Sequence, residues 1–437
     1  MNTPFDDLPR VRFAGPQTDN PFAFRYYDPE RKVLDRRMAD WLRPAVAYWH
    51  SFCGTGADPF GAASLDYPWH RAADGIAAAE AKAAAAFAFM ERLGFPFFCF
   101  HDRDVAPEGA TLAESNRNLS YMVDTLGRHM ERTGVKLLWG TANLFSHPRY
   151  MAGAATNPDP DVFAYAAAQV KEALEATHRL GGANYVLWGG REGYDSLLNT
   201  DLKREGEQAG RFFAMVVEHK HRIGFKGTIL IEPKPMEPTK HQYDRDVATV
   251  YAFLRRFDLA GEVMLNIEAN HATLAGHDFA HEIALAASLG VLGSIDINRG
   301  DPRTGWDTDQ FAQYEPDLVL ALLEVVRAGG LGNGGFNFDA KVRRQSIAPD
   351  DLLHGHIGGV DALARALLAA ACIHEDGLLD RARAERYDGW RQPAGERIRA
   401  GKETLASLSA RVLAESLEPC PRTGGQERLE NILARYL

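Results

Sequence analysis

Four acidic residues, Glu232, Glu268, Asp296 and Asp339, each close a short run of otherwise apolar or small residues, TILIE, MLNIE, LGSID and FNFD. A carboxylate withdrawn from water carries a large desolvation cost, and several brought together repel one another. Asp307 and Asp309 follow in GWDTD, His271 lies three residues past Glu268, and only Lys234 and Lys341 stand nearby as positive charge. Bound divalent cations are the simplest resolution. Hard oxygen donors favour Mg2+ or Mn2+, and one histidine among them keeps Mn2+ and Co2+ available. Six carboxylates and one histidine suffice for two sites sharing a carboxylate. Each piece alone has a plainer reading. A glutamate at a strand end is often a salt-bridged barrel residue, and Asp307 and Asp309 could cap a helix beginning at TDQF. Glu268 with His271 is a weak pair in isolation. Four acidic run-ends in succession are what the plain readings fail to explain.

The elements that must position these residues recur along the chain. Eight candidate strands occupy 45–52, 95–100, 135–140, 183–190, 227–233, 262–269, 292–298 and 334–340. Segments with helical periodicity separate them, and those at 114–134 and 161–182 both end in glycine, a common helix terminator. Eight strands alternating with helices predict an α/β fold, a parallel (β/α)8 TIM barrel. An open doubly wound sheet would usually carry a Gly-rich phosphate turn after its first strand, and none is present. In a parallel barrel the C-terminal strand ends converge on one mouth. The same ends then bring Trp49, His50, His101, Asp104, Thr141, Phe145, Trp188, Lys234 and Lys341 to it. Of these, Trp49, Phe145 and Trp188 also fit plain core, and His101 with Asp104 fits a hydrogen-bonded loop pair. The strand pattern stops near residue 380. We therefore expect a catalytic barrel with an N-terminal extension over 1–380 and a largely helical extension over 381–437.

Composition narrows the partners. The 437 residues include 59 acidic and 49 basic, for a net charge of −10. That disfavours a nucleic-acid binder, which normally presents a basic face, and suits a collector of cations. The four cysteines show no CxxC pairing, so reduced, buried thiols are expected rather than a disulfide framework. No signal pattern opens the chain, and no apolar run approaches the roughly 20 residues of a membrane span. The expectation is a cytoplasmic protein with no membrane partner.

The segments FCFHDRD (98–104), WGTANLF (139–145), IEPKPMEPTKHQYD (231–244), NIEANHATLAGH (266–277), SIDINRGD (294–301), GWDTDQF (305–311) and NFDAK (337–341) resemble the signature segments of xylose isomerases. The likeness is to the longer form with an N-terminal extension, and it runs from about Phe24 past His356. The resemblance implies a first metal held by Glu232, Glu268, Asp296 and Asp339. It implies a second held by His271, Asp307 and Asp309, with Glu268 as the bridge. His101, oriented by Asp104, would assist sugar ring opening, and Lys234 would hydrogen-bond the terminal oxygen of the sugar. Trp49, Phe145 and Trp188 would wall the pocket with Thr141. Phe60, in ADPFGAAS, would enter a neighbouring subunit's site, within a homotetramer. The departures are Ile297, Asp278 and the loose segment after NFDAK, none of which removes a ligand.

The implied reaction is aldose–ketose isomerisation of D-xylose to D-xylulose, and of D-glucose to D-fructose. With nearly every mouth carboxylate assigned to metal, no obvious base remains, so a hydride shift from C2 to C1 is expected rather than an enediol. An isomerase or epimerase of another sugar, or a metal-dependent phosphoesterase or nuclease, are the alternatives. The latter would want a basic mouth.

Overall fold

A computed structural model describes residues 3–71 and 74–437. Eight parallel strands close into a barrel, each paired with its neighbours in chain order and the last with the first. They are β1 (Pro44–Ala47), β2 (Phe97–His101), β3 (Lys136–Thr141), β4 (Asn184–Trp188), β5 (Thr228–Glu232), β6 (Val263–Glu268), β7 (Leu292–Asp296) and β8 (Phe336–Phe338). The main helices between and after them are α1 (Gly75–Leu93), α2 (Leu112–Thr133), α3 (Pro160–Arg179), α4 (Leu202–Ile223), α5 (Val247–Arg256), α6 (Phe279–Leu289), α7 (Pro316–Arg327) and α8 (Pro349–Asp376). The eight expected strands all exist; most are trimmed at their ends, while the first three reach one residue past an expected bound, at Pro44, His101 and Thr141. The largest trim is in the first, where the chain leaves the sheet after Ala47 and coils into a wide turn over Trp49–Cys53. That turn swings Trp49 and His50 across the mouth.

Strand side chains alternate between faces. Phe97, Cys99 and His101 on β2, Val186 and Trp188 on β4, and Leu230 and Glu232 on β5 share the inward face. Ala45, Phe97, Cys99, Leu138, Trp139, Val186 and Leu230 pack into one apolar plug, with Trp49, Trp188 and Met264 against it. The barrel is thus filled below the mouth, and the next inward position on each strand stands on that floor. Helix boundaries follow local chemistry. Thr111 Oγ accepts from the Glu114 amide at 3.2 Å to start α2, and Gly134, at φ 77°, ends it in the left-handed region, which glycine enters without a Cβ clash.

The chain divides into two compact units, one ending at Ala366 and the other beginning at Leu367. The second continues through α9 (Leu378–Arg386), α10 (Pro393–Arg399), α11 (Leu405–Ala414) and α12 (Gln426–Leu433). α9, α11 and α12 bury no residue. Two expectations need correction here. All four cysteines are free, but only Cys99 is buried, Cys53 is half-buried, and Cys372 and Cys420 are exposed. Among the described residues one helix, α8, is also long and apolar enough to cross a membrane, with a window of mean hydropathy 1.4, although 72% of that window is buried. Burial of this kind is what a core helix shows.

Asp361 of α8 fastens the N-terminal segment to the barrel unit. Its Oδ2 accepts from the Arg25 amide at 2.8 Å, and its Oδ1 from the Tyr26 and Tyr27 amides at 2.8 and 2.9 Å. Charge-assisted bonds of this kind contribute about 1.5–3 kcal/mol each, and they are not additive. Asp361→Ala should therefore cost about 2–5 kcal/mol, read as a lowered denaturation midpoint, with Asp361→Asn between it and the wild type. Equal midpoints for all three would refute this tether.

Candidate active site

The parallel register does most of the positioning. Glu268 at the end of β6 pairs with Asp296 at the end of β7, and Asp296 in turn pairs with Asn337 of β8, two residues before Asp339. Oxygens of Glu232, Glu268, Asp296 and Asp339 consequently lie within 4.8 Å of one another, and all four residues are buried. A second group, Glu268, Asp307 and Asp309, meets the same spacing and shares Glu268 with the first. His271 Nε2 lies 3.1 Å from both Glu268 Oε2 and Asp307 Oδ2. Asp307 and Asp309 begin no helix, so the capping alternative for them fails. The Asp309 backbone sits at φ 43°, in the sparsely populated left-handed region.

The electrostatics of this cluster are severe. Burial, then the repulsion of Asp296, pushes the Glu232 carboxyl well above its ordinary range. Burial and Asp307 do the same to Glu268, and burial and Asp339 to Asp296. Asp309 is pushed up to about 7 by burial and then Asp307. For Asp307 burial also opposes ionisation, but His271 and Lys234 outweigh it and hold the carboxyl well below its usual value. Lys234 Nζ donates to Asp307 Oδ2 at 2.8 Å. For Asp339 burial is outweighed by His50.

His50 is the partner that sequence reasoning missed. Its Nε2 is 2.9 Å from Asp339 Oδ1 and 3.4 Å from Asp309 Oδ2. The sequence places this histidine directly after Trp49 at a strand end, but an imidazole carries no formal charge in the sequence balance, so Lys234 and Lys341 alone stand out as cations. Lys341 Nζ donates to Asp309 Oδ2 at 2.7 Å. Neither oxygen of Asp296 and not Nδ1 of His271 has a hydrogen-bond partner, though all three atoms are buried. Orphaned, crowded oxygens beside an imidazole are the donor set a divalent cation takes, so the residues present fit the expected metals.

Above the acidic floor is a cavity of about 320 Å3, lined among others by Trp49, His101, Thr141, Phe145, Trp188 and Lys234. His101 Nδ1 bonds Asp104 Oδ2 at 2.8 Å, and the same oxygen accepts from the His101 amide at 2.8 Å. One carboxylate thereby fixes both the backbone and the ring, leaving Nε2 as the free nitrogen. Trp49 packs edge-on to His101 at 4.7 Å, and Phe145 edge-on to Trp188 at 4.5 Å. Trp49 Nε1 donates to Asp339 Oδ1 at 2.9 Å, joining the wall to the floor. A Cβ at Gly190 would strike both Trp188 and Phe145, so the glycine lets the two rings meet. Thr141 lines the cavity but donates its hydroxyl to Val186 O at 2.6 Å. Phe60, expected at a neighbouring subunit's site, is absent from this cavity and is 87% exposed. One residue outside the expected set, Glu237, does line the cavity, and its carboxylate accepts from the Asp307 amide at 2.9 Å.

A parallel barrel whose C-terminal mouth gathers carboxylates able to hold cations, under an aromatic wall, has the form of a (β/α)8 enzyme with its site at that mouth. Xylose isomerases of Cereibacter sphaeroides and Paraburkholderia phymatum are each 60% identical to this chain. The first match covers 99% of both chains, and the second 98% of this chain and 97% of the relative. The chain belongs to the xylose isomerase family, and it is an isomerase. The family model described as "XylA2 C-terminal domain" matches residues 383–437. A solved protein from Rhodospirillum rubrum, given provisionally as a xylose isomerase, shares the fold at 14% identity and a TM-score of 0.52, over 74% of this chain and 98% of that one.

Groups held above their ordinary pKa stabilise the fold only while protonated. For Asp309 that contribution is full below pH 3.8 and is lost as pH rises through about 7. Glu232, Glu268 and Asp296 act in the same direction, as does His50, which its carboxylate neighbours raise against its burial. His271, lowered by burial, opposes them between its folded value and 6.5, as do His70, His129 and His356 away from the mouth, which metal does not touch. Asp307 and Asp339 act below 3.8. Metal-free protein should therefore lose stability from pH 5 to 7.5, and added Mg2+ should restore it. The gap in melting temperature between Mg2+-loaded and EDTA-treated protein should widen over that interval, and a gap that narrows would contradict the assignment.

Proposed function

We propose that the chain interconverts D-xylose and D-xylulose, and D-glucose and D-fructose, using two divalent cations. The observation that carries this reading is the pair of carboxylate groups sharing Glu268 beneath an aromatic-walled cavity of sugar size. Glu232, Glu268, Asp296 and Asp339 hold the first cation. Glu268, His271, Asp307 and Asp309 hold the second. When bound, the cations supply Lewis acidity to the oxygens on C1 and C2 of the sugar. The ligand set admits Mg2+, Mn2+ or Co2+.

His101 moves a proton between the ring oxygen and the anomeric hydroxyl through its free Nε2, while Asp104 keeps the ring in place. Trp49, Phe145 and Trp188 exclude water and lower the dielectric around the reacting carbons. Thr141 completes that side of the pocket, and Lys234 donates to an oxygen of the open chain. The C2–H bond then breaks with its electron pair and the C1–H bond forms, while a proton leaves O2 and one arrives at O1. Glu237 is the one lining carboxylate outside both ligand sets, and its bond to the Asp307 amide and its 3.6 Å approach to Lys234 give it a positioning role.

Phe60 reaches out to the cavity of a neighbouring subunit in a cytoplasmic homotetramer. The helices over 381–437 contact a neighbour, a reading supported by the exposure of Leu405 and Leu413.

Conversion of D-xylose should require Mg2+ and stop in EDTA. Substrate deuterated at C2 should keep its label in the ketose, and Glu237→Gln should still turn over. Washout of the label together with a dead Glu237→Gln variant would instead assign Glu237 as a proton-transferring base. In equilibrium dialysis, Glu268→Ala should lose both equivalents of metal. His101→Ala should keep both and lose at least about 100-fold in turnover on cyclic sugar, in the range usual for a proton-transfer group.

A further inference from the structure

A second cluster of donor atoms lies outside the mouth, where the connections after β5 and β6 meet. Asp246 caps α5, His277 precedes α6, and His281 and Glu282 lie in the first turns of α6. His277 Nε2 is 3.3 Å from Asp246 Oδ2 and 4.0 Å from Glu282 Oε1, and His281 Nε2 is 4.0 Å from the same Oε1. The two imidazole rings face each other at 5.2 Å. The Glu282 side chain is only 4% exposed, yet its Oε1 has no hydrogen-bond partner. Its other oxygen accepts from the Val247 amide at 2.9 Å, and Asp246 Oδ1 accepts from the Thr249 amide at 2.8 Å. Each carboxylate is thus anchored by one oxygen to the first turn of α5, with its second oxygen turned toward the imidazoles. Such outer bonds fix a ligand's direction before a metal arrives.

We propose that His277, His281 and Glu282 form a third metal site, for a borderline transition cation such as Zn2+, with Asp246 orienting His277 beside it. Two imidazole nitrogens and one carboxylate oxygen supply three of the four positions of a tetrahedral zinc site, and water can take the fourth. Donor atoms around tetrahedral zinc stand about 3.4 Å apart, given bonds of about 2.1 Å. Small side-chain adjustments close the 4.0 Å separations to that figure. His281 is 54% exposed on its side chain and gives the ion a way in. Arg245, 3.9 Å from Asp246 Oδ2, is a competing cation, but it already donates to Ala275 O. The mouth is dominated by oxygen donors and suits Mg2+, whereas most donors of this site are nitrogen and select a softer ion. An ion there gathers the start of α6 around Glu282, whose other oxygen is already bonded to the first turn of α5.

The test is equilibrium dialysis of the full-length protein against Zn2+ with excess Mg2+ at pH 7.5, with bound zinc measured by elemental analysis. The wild type should hold one more zinc per chain than His277→Ala/His281→Ala. His271→Ala, altered only at the mouth, should keep that extra zinc. Zn2+ should also raise the melting temperature of Mg2+-loaded wild type and leave that of the double variant unmoved. Should the double variant melt early in Mg2+ alone, His281→Ala takes its place, since that side chain is largely in solvent. Equal zinc in wild type and variant would reduce the cluster to an ordinary His277–Asp246 ion pair and overturn the proposal. Because the comparison holds the mouth constant, that outcome would leave the isomerase reading standing.

Discussion

Mutual repulsion among buried carboxylates governs this protein. Glu232, Glu268, Asp296 and Asp339 are brought within 4.8 Å of one another with little water to screen them, a placement that no folded chain tolerates uncompensated. Much of the surrounding structure is compensation. Asn266 donates to Glu232 and Asn298 to Glu268, at 2.9 and 2.7 Å. His50, Lys234 and Lys341 each lean on an aspartate. Asp296 has Asn266 and Asn337 nearby, but neither of its oxygens meets a donor in good hydrogen-bond geometry. It is where compensation by the chain runs out and where a cation has most to offer.

The strand-borne part of this arrangement was legible in the sequence because a parallel barrel converts a local pattern into a global position. A carboxylate ending an apolar run can lie in few places other than the mouth, so Glu232, Glu268, Asp296 and Asp339 declared themselves. Loop-borne residues did not. Asp307 and Asp309 read equally well as helix caps, and what separates the readings is a left-handed backbone at Asp309, which no periodicity encodes. His50 was visible at a strand end but silent about its partners, since Asp309 and Asp339 lie hundreds of residues away in the chain. Glu237 escaped notice for a similar reason: it reaches the cavity through an amide of another loop.

The second unit was hard to read from the same principles. Its helices carry charged, irregular faces with no buried residue on α9, α11 or α12. Helices that bury no residue give periodicity no apolar face to report, and Cys372 and Cys420 of that unit are exposed as well.

The in-register pairing of Glu268 with Asp296 also bears on how such a chain can change over generations. Strand side chains alternate, so inserting or deleting one residue in β6 or β7 would turn an acidic group from the mouth to the outer face, and every inward neighbour with it. The eight strands are therefore closed to changes of length, even where they would accept changes of residue. Novelty has to enter through the connections. The loop carrying Asp307 and Asp309 and the wide turn carrying Trp49 and His50 are where descendants of this sequence could alter pocket width without disturbing the acidic floor.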